Sequence, residues 1–163
     1  MSTIEITTTN LKLVLNTREK VLAQIEAMSP SDRAQVSPAW LSAAMLASVP
    51  DPWIHGFTIF DRETGATIGN CGFKGPPTND GRVEIAYGVD EAYRGRGYAT
   101  EAALGLTGYA FTAGGARVVQ AHTLPEESAS TRVLRKSGFR YVGEVVDPED
   151  GLVWRWEAKS GLR

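Results

Sequence analysis

The chain has 163 residues, 42% of them hydrophobic and 22% charged, enough for one hydrophobic core and short for two. A formal net charge of −2 excludes a general basic field for nucleic acid, and the single cysteine, Cys71, excludes an intrachain disulfide framework or a multi-cysteine zinc site. The opening MSTIEITTTN lacks the basic and apolar segments of a secretory signal, and no apolar run approaches the roughly 20 residues of a membrane helix. The expectation is a soluble cytoplasmic protein with no membrane partner, no nucleic-acid partner and no metal.

The elements follow in chain order. LKLVL (11–15) alternates as a first strand. Thr17 is placed to cap a helix whose Val21, Leu22, Ile25 and Met28 fall on one face, and SPSD (29–32) breaks it. Ser37 followed by Pro38 starts a second helix, carrying Trp40, Leu41, Ala44 and Met45 and stopping before Pro50 and Pro52. WIHGFTIF (53–60) and TIGNCGF (67–73) read as a hairpin around DRETG, and KGPPTNDG (74–81) as a loop. RVEIAYGV (82–89) is the next strand; a helix runs from Gly97 to about Ala113; ARVVQAHT (116–123) is again strand. A helix over about Glu127–Ser137 precedes a terminal hairpin of FRYVGEVV and LVWRWEA around DPEDG. No repeat, low-complexity tract or linker interrupts this order, so 1–163 reads as one α/β (α+β) domain with a mixed sheet. Strands 82–89 and 116–123, joined through a helix, should be parallel, and a ligand then belongs at their carboxyl ends.

YRGRGYAT (93–100) lies at that place. Gly95 and Gly97 can take positive φ, so consecutive N–H groups can face one concavity. The helix start adds unpaired N–H groups and the positive end of its dipole, and Arg94 and Arg96 add guanidinium forks. Two readings stand: a glycine turn with solvated arginines, or a seat for a phosphate or pyrophosphate, which the concentrated donors favour. A Walker loop is absent, and Thr100 stands where a dinucleotide fingerprint needs its third small residue. Gly105 and Gly108, with Ala99, Ala102, Ala103 and Ala110, make the following helix small-sided and able to lie close on the sheet.

VEIAYGVDEAYRGRGYATEA followed by AHTLPEESASTRVLRKSGFRYVGE resembles the GNAT superfamily of acetyl-CoA-dependent N-acetyltransferases, most of all the branch that includes ribosomal-protein N-terminal acetyltransferases. Arg94, Gly97 and Ala99 match the family's Arg/Gln-x-x-Gly-x-Gly/Ala signature; Lys136, Gly138 and Phe139 match its second block. The resemblance is strong over about 82–145. It implies a central parallel pair that splays apart, with flanking helices and with pantetheine in the gap beside Gly88 and Val89. It further implies that acetyl-CoA is the co-substrate, with its pyrophosphate on the backbone of Arg94, Gly95, Arg96, Gly97, Tyr98, Ala99 and Thr100. Ser130 is then a cofactor-side residue, and Arg132, Arg135 and Lys136 are either a solvated basic face or contacts to the nucleotide 3′-phosphate. Two positions depart from the family: Glu127 where many relatives have asparagine, and Leu134 where some have a tyrosine that protonates the departing thiolate.

Acetyl transfer to an amine needs a neutral nitrogen, hence a base. Glu84 is the candidate: it interrupts an apolar strand, shares a face with Ala86 and Gly88, and stands where relatives often carry glutamate. A carboxylate satisfied by an arginine or by backbone donors is the structural alternative. His122 and His55 compete as bases, His55 more at home on a strand edge. Tyr87, Tyr93, Tyr98, Trp40 and Trp53 are either core or acceptor-pocket wall, and Glu101 serves the helix dipole rather than the chemistry. The expected activity is direct transfer from acetyl-CoA to a primary amine, of a peptide N-terminus or a small molecule. Alternatives are an acyl-CoA sensor that transfers nothing and an interaction domain without cofactor. The acceptor's identity is not spelled in the sequence. A monomer or homodimer is expected, the dimer resting on a terminal hairpin exposing Trp154 and Trp156.

Overall fold

The computed structural model describes residues 4–161. Its elements are β1 (Glu5–Thr7), β2 (Leu11–Leu15), α1 (Arg18–Glu26), α2 (Pro30–Ala34), α3 (Pro38–Leu46), β3 (Phe57–Asp61), β4 (Thr67–Phe73), β5 (Arg82–Val89), α4 (Tyr98–Thr112), β6 (Val118–Thr123), α5 (Ala129–Lys136), β7 (Arg140–Asp147) and β8 (Gly151–Lys159). The strands form one mixed sheet in the order β1-β2-β3-β4-β5-β6-β8-β7.

β5 and β6 are its parallel pair, and they pair only from Arg82↔Val118 to Glu84↔Gln120. β5 continues to Val89 on the side of β4, and β6 to Thr123 on the side of β8. The two strands therefore part toward their carboxyl ends, as the resemblance implied, and open a wedge in the sheet. α4 covers one face of the sheet with the buried Ala102, Ala103, Leu106 and Ala110. α1 and α3 form a smaller cluster around Val21, Ile25 and Ala44, and Gln24 of α1 reaches Asn70 of β4.

Several local expectations change. The SPSD stretch does not simply end α1: Ser29 caps Asp32 N–H with Pro30 in the first turn, so it starts the short α2. β3 begins at Phe57 rather than at 53, because Asp51 gathers the preceding residues into a turn, accepting from the N–H groups of Trp53, Ile54 and His55. His55 consequently sits inside the protein, 2% exposed, and not on a strand edge. Its Nδ1 accepts from Asp51 N–H at 2.9 Å, so its Nε2 carries the proton and donates to Ala44 O at 3.0 Å, tying this turn to α3. β1, which lies in the stretch read only for the lack of a signal, adds an edge strand on β2. The terminal hairpin does not expose both tryptophans: Trp156 is 1% exposed and donates to Thr123 Oγ1. Cys71 is a buried core residue whose thiol pKa burial pushes up.

The small-sided α4 has two different kinds of glycine. A Cβ on Gly105 would stand 3.2–3.4 Å from Thr8, Leu13 and Ile6, so there the helix does press on the sheet edge; one on Gly108 would meet nothing within 4 Å. The closest approach in the sheet is at Gly69, where a Cβ would lie 2.1 Å from Gly88 O, at the end of β5 where the wedge is open. Glu101 ties α4 to the β1–β2 turn, accepting from Thr8 Oγ1, from Asn10 N–H at 2.7 Å and from Asn10 Nδ2 at 2.9 Å. Burial pushes its carboxyl up, but the hydrogen bonds from Thr8 and Asn10 outweigh it and hold the pKa below the usual value.

Gly69→Ala should cost about 1–3 kcal/mol by overpacking. Gly108→Ala should gain about 1 kcal/mol of helix propensity. Denaturant melts of the two variants check the contrast. Because the folded carboxyl of Glu101 is lowered, its contribution is complete above the unfolded value of about 4.3 and is lost as pH falls through the folded value. Thermal melts of Glu101→Gln across this window should therefore show a lower plateau above it and a shallower acid decline than the parent.

Candidate active site

The wedge opens on two cavities. One, about 490 Å³, runs from the lip of β5 to the start of α4 and along α5; among its walls are Tyr87, Gly88, Val89, Arg94, Gly95, Gly97, Tyr98, Ala99, Thr100 and Ser130. Gly95 and Gly97 both have left-handed backbone, φ 78° and 83°. Gly97 is the N-cap of α4 and has no side chain to offer the helix, so the first N–H groups stay open. None of the N–H groups from Gly95 to Thr100 donates to a carbonyl of the described residues; the first that does is Glu101, to Gly97 O at 3.1 Å. A run of unpaired donors at a helix start is an anion seat.

Two arginines expected here are used differently. Arg94 turns back and donates its Nε to Val89 O at 3.0 Å, fastening the loop to the end of β5. Arg96 lies over the Tyr93 ring at 5.8 Å and is not part of the cavity wall. From α5, Ser130, Arg132 and Lys136 line the same cleft. Arg135 points elsewhere: it grips Glu127 with both terminal nitrogens, at 2.6 and 2.8 Å, and stacks on Trp156 at 5.0 Å. That fork, with a hydroxyl bond from Thr131, takes the Glu127 carboxyl down to about 2. Glu127 thus braces α5 from outside, while Ser128 and Thr131 form the capping box. Leu134 is fully buried in the core. A phenol does reach this cleft from β5: the Tyr87 hydroxyl makes no hydrogen bond among the described residues, and burial raises it to about 12, so it stays protonated at neutral pH. Tyr98, by contrast, donates to Asp61 at 3.2 Å.

The second cavity, about 500 Å³, lies between α3 and the β7–β8 turn, with Trp40, Phe73, Lys74, Glu84, Asp147 and Glu149 among its walls. Trp40 spends its indole N–H on Ile54 O at 2.6 Å, which leaves an apolar surface to the pocket. Trp53 is core instead, packed on Phe73 and Tyr109 at 4.6 and 5.7 Å between ring centres.

Glu84 stands at the last residue pair before the strands part, its side chain 15% exposed. Gln120 Nε2 donates to its Oε1 at 3.3 Å, and Lys74 Nζ lies 3.2 Å from its Oε2. Arg82 donates to Gln120 Oε1 at 3.0 Å, which turns the amide nitrogen toward Glu84. Burial alone would lower Lys74, but the charges of Glu84 and Asp150 outweigh it and hold the amine above its ordinary pKa, as a cation. The carboxylate is thus satisfied by neither an arginine nor the backbone, and of its two partners Lys74 lines the pocket. The β7–β8 turn is fixed by Asp147, whose Oδ2 accepts from Glu149 and Asp150 N–H at 3.0 Å each, keeping its carboxyl acidic. His122, 4% exposed, sits between Glu84 and Asp147, at 3.4 and 3.8 Å from Nδ1. From sequence Tyr87 is core or acceptor-pocket wall, not a cleft residue beside α4, and Lys74 and Asp147 carry no expected part. Alternation could have set Tyr87 opposite Glu84, but Lys74 and Asp147 reach the site only through the loop after β4 and the turn after β7.

Among the described residues no helix is long and apolar enough to cross a membrane. Similarity to solved structures is extensive in shape and low in sequence. The ribosomal-protein-S5-alanine acetyltransferase from Vibrio fischeri superposes with a TM-score of 0.72 at 14% identity over 98% of both chains. RimL, a ribosomal L7/L12 alpha-N-protein acetyltransferase solved in complex with coenzyme A, gives 0.69 at 17% identity over 96% of this chain and 98% of its own. In sequence, the chain is 34% identical over 93 residues to the uncharacterized N-acetyltransferase p20 of Bacillus licheniformis, 57% of this chain and 52% of that one. It is 29% identical over 89 residues to YjdG of Bacillus subtilis, 55% and 51% of the two chains. The chain therefore spans about half the length of the curated relatives it matches. The family model described as an acetyltransferase (GNAT) domain matches residues 10–140, the greater part of the chain and both strands of the wedge, and the protein belongs to that family.

Proposed function

We propose that the protein transfers the acetyl group of acetyl-CoA to a primary amine by direct attack within a ternary complex. The observation that carries this reading is the run of unpaired N–H groups from Gly95 to Thr100, opening into a cleft that leads along β5 to the wedge. A diphosphate accepts from those donors without displacing any internal bond, at the positive end of α4. Lys136 and Arg132 stand on the same wall and suit a further phosphate. Beyond Glu84, β5 has lost β6 as a partner, so its free edge at Gly88 and Val89 can pair with the amides of a pantetheine arm.

The amine comes from the other side. The arriving ammonium gives one proton to Glu84; the neutral nitrogen then attacks the thioester carbonyl, the C–N bond forms, the C–S bond breaks with its electron pair on sulfur, and the second proton lost from nitrogen passes to that thiolate. Tyr87, on the cofactor side of β5, offers a hydroxyl to the leaving sulfur in the place of the aromatic acid that Leu134 cannot supply. Three carboxylates against one ammonium on the wall of the acceptor pocket favour an amine that arrives as a cation, and the apolar faces of Trp40 and Phe73 favour carbon beside it.

Glu84→Gln should lower kcat with little change in the KM for acetyl-CoA. The loss should be about 10²-fold or more at pH 7 and shrink as pH approaches the pKa of the acceptor amine, measured by thiol release over an amine panel. A flat ratio across pH would remove Glu84 from the role. Coenzyme A bound by calorimetry with no thiol released by any amine would instead mark a binding module. Gly97→Ala, which forces a Cβ onto left-handed backbone, should weaken coenzyme A about tenfold in the same calorimetry, whereas Arg96→Ala should leave it within about twofold.

A further inference from the structure

His122 lies against Glu84 and Asp147, two residues of the acceptor-pocket wall, and the two nitrogens of its ring face different company. Nε2 lies 3.1 Å from Arg155 Nε. A guanidinium N–H only donates, so Nε2 must present its lone pair, and a neutral ring with that lone pair carries its proton on Nδ1. Nδ1 is buried and completes no hydrogen bond among the described residues. It is aimed between Glu84 Oε2, at 3.4 Å, and Asp147 Oδ1, at 3.8 Å. A buried donor that falls short of two acceptors at once is an open position in an otherwise satisfied network.

We infer that His122 is a positioning residue for the Glu84 carboxylate: a donor whose tautomer Arg155 fixes, and not a base. The inference rests on the proposed role of Glu84. While Glu84 is ionised, the Nδ1–H supports its charge and holds Oε2 on the pocket side. When Glu84 has taken the amine's proton, the same N–H turns to Asp147 Oδ1, which is anionic and spends only its other oxygen on the turn. The donor is therefore never stranded; an approach of about half an ångström completes the bond to Glu84 and one of nearly an ångström the bond to Asp147.

The surrounding charges make the alternatives worse. Facing the pair are Lys74, 3.2 Å from Glu84 and 3.5 Å from Asp150, and Arg155 at the ring's Nε2; Arg82 and Glu157 follow two residues along β5 and β8. A proton taken up on Nε2 would set two donors head to head 3.1 Å apart, so His122 cannot relay a proton through its ring while Arg155 is in place. One atom each from Glu84, His122 and Asp147 lie within 4.8 Å of one another, a spacing a divalent cation could use. A metal on Nδ1 would move the proton to Nε2, against Arg155, and would add a cation beside Lys74. The geometry is that of a hydrogen-bond donor.

The test compares His122→Phe, which keeps a ring and loses the donor, with His122→Asn, whose amide nitrogen can take the place of Nδ1. Each is measured alone and with Glu84→Gln, reading kcat, both KM values and the pH profile of kcat/KM. We expect His122→Phe to lower kcat about tenfold with the acetyl-CoA KM within about twofold, and to move the acidic limb to higher pH, because a carboxylate that loses a donor ionises less readily. His122→Asn should recover most of the rate and the limb. With Glu84→Gln present, His122→Phe should cost no more than about twofold. An equal loss in both backgrounds, or an asparagine variant as poor as phenylalanine, overturns the proposal. A Glu84→Gln enzyme with full activity overturns the base assignment first, and this one with it. Should neither His122 variant fold, nitrogen-15 NMR of the unaltered protein decides. A proton on Nδ1 and a lone pair on Nε2 is the expected state, and the opposite tautomer contradicts it.

Discussion

Everything functional in this fold follows from a parallel pair that stops pairing too early. Strands that stayed hydrogen-bonded past Glu84 and Gln120 would seal the sheet. Because β4 holds β5 to Val89 and β8 holds β6 to Thr123, each strand is kept straight by its outer neighbour, and the inner edges are left without partners. Unpaired inner edges are costly when buried and useful when a ligand with amides of its own can fill the gap. The loop after β5 and the start of α4 then place a second set of unpaired N–H groups at the mouth of the same gap. The backbone alone thus defines a line along which a long, anionic, amide-bearing molecule fits.

The two faces of β5 divide the chemistry. Glu84 looks toward α3 and the β7–β8 turn, among Lys74, Gln120, His122 and Asp147. Tyr87, an odd number of residues on, looks into the cofactor cleft. In the proposed reaction, proton acceptance at the amine and support of the sulfur would therefore come from opposite sides of one strand, with the gap between them. The polar side is built across four strands. Arg82 sets Gln120, Gln120 and Lys74 hold Glu84, and Arg155 of β8 sets the tautomer of His122. The register sets Glu84 opposite Gln120 and His122 opposite Arg155, with Arg82 diagonal to Gln120.

The sequence made much of this legible. Alternation placed Glu84 with Ala86 and Gly88, the Ser-Pro pair started α3, and the glycines of YRGRGYAT required the left-handed backbone found at Gly95 and Gly97. What it could not spell were side-chain destinations. Arg94 and Arg96 were equally good phosphate forks until one turned to Val89 O and the other to the Tyr93 ring. Arg135 shared helical spacing with Arg132 and Lys136, yet Glu127, eight residues back, captured it. His122 read as a possible base because its neighbour across the sheet, Arg155, lies 33 residues away in the chain. Lys74 and Asp147 were invisible as site residues, since loop and turn positions carry no periodicity to aim them.

The account stands or falls on where coenzyme A lies. A crystal structure of the complex measures this directly. The diphosphate oxygens should lie within about 3 Å of the N–H groups between Gly95 and Thr100, with the pantetheine arm along the free edge of β5 and the sulfur near Tyr87. A diphosphate seated elsewhere, or an arm that leaves the gap between β5 and β6 empty, would contradict it.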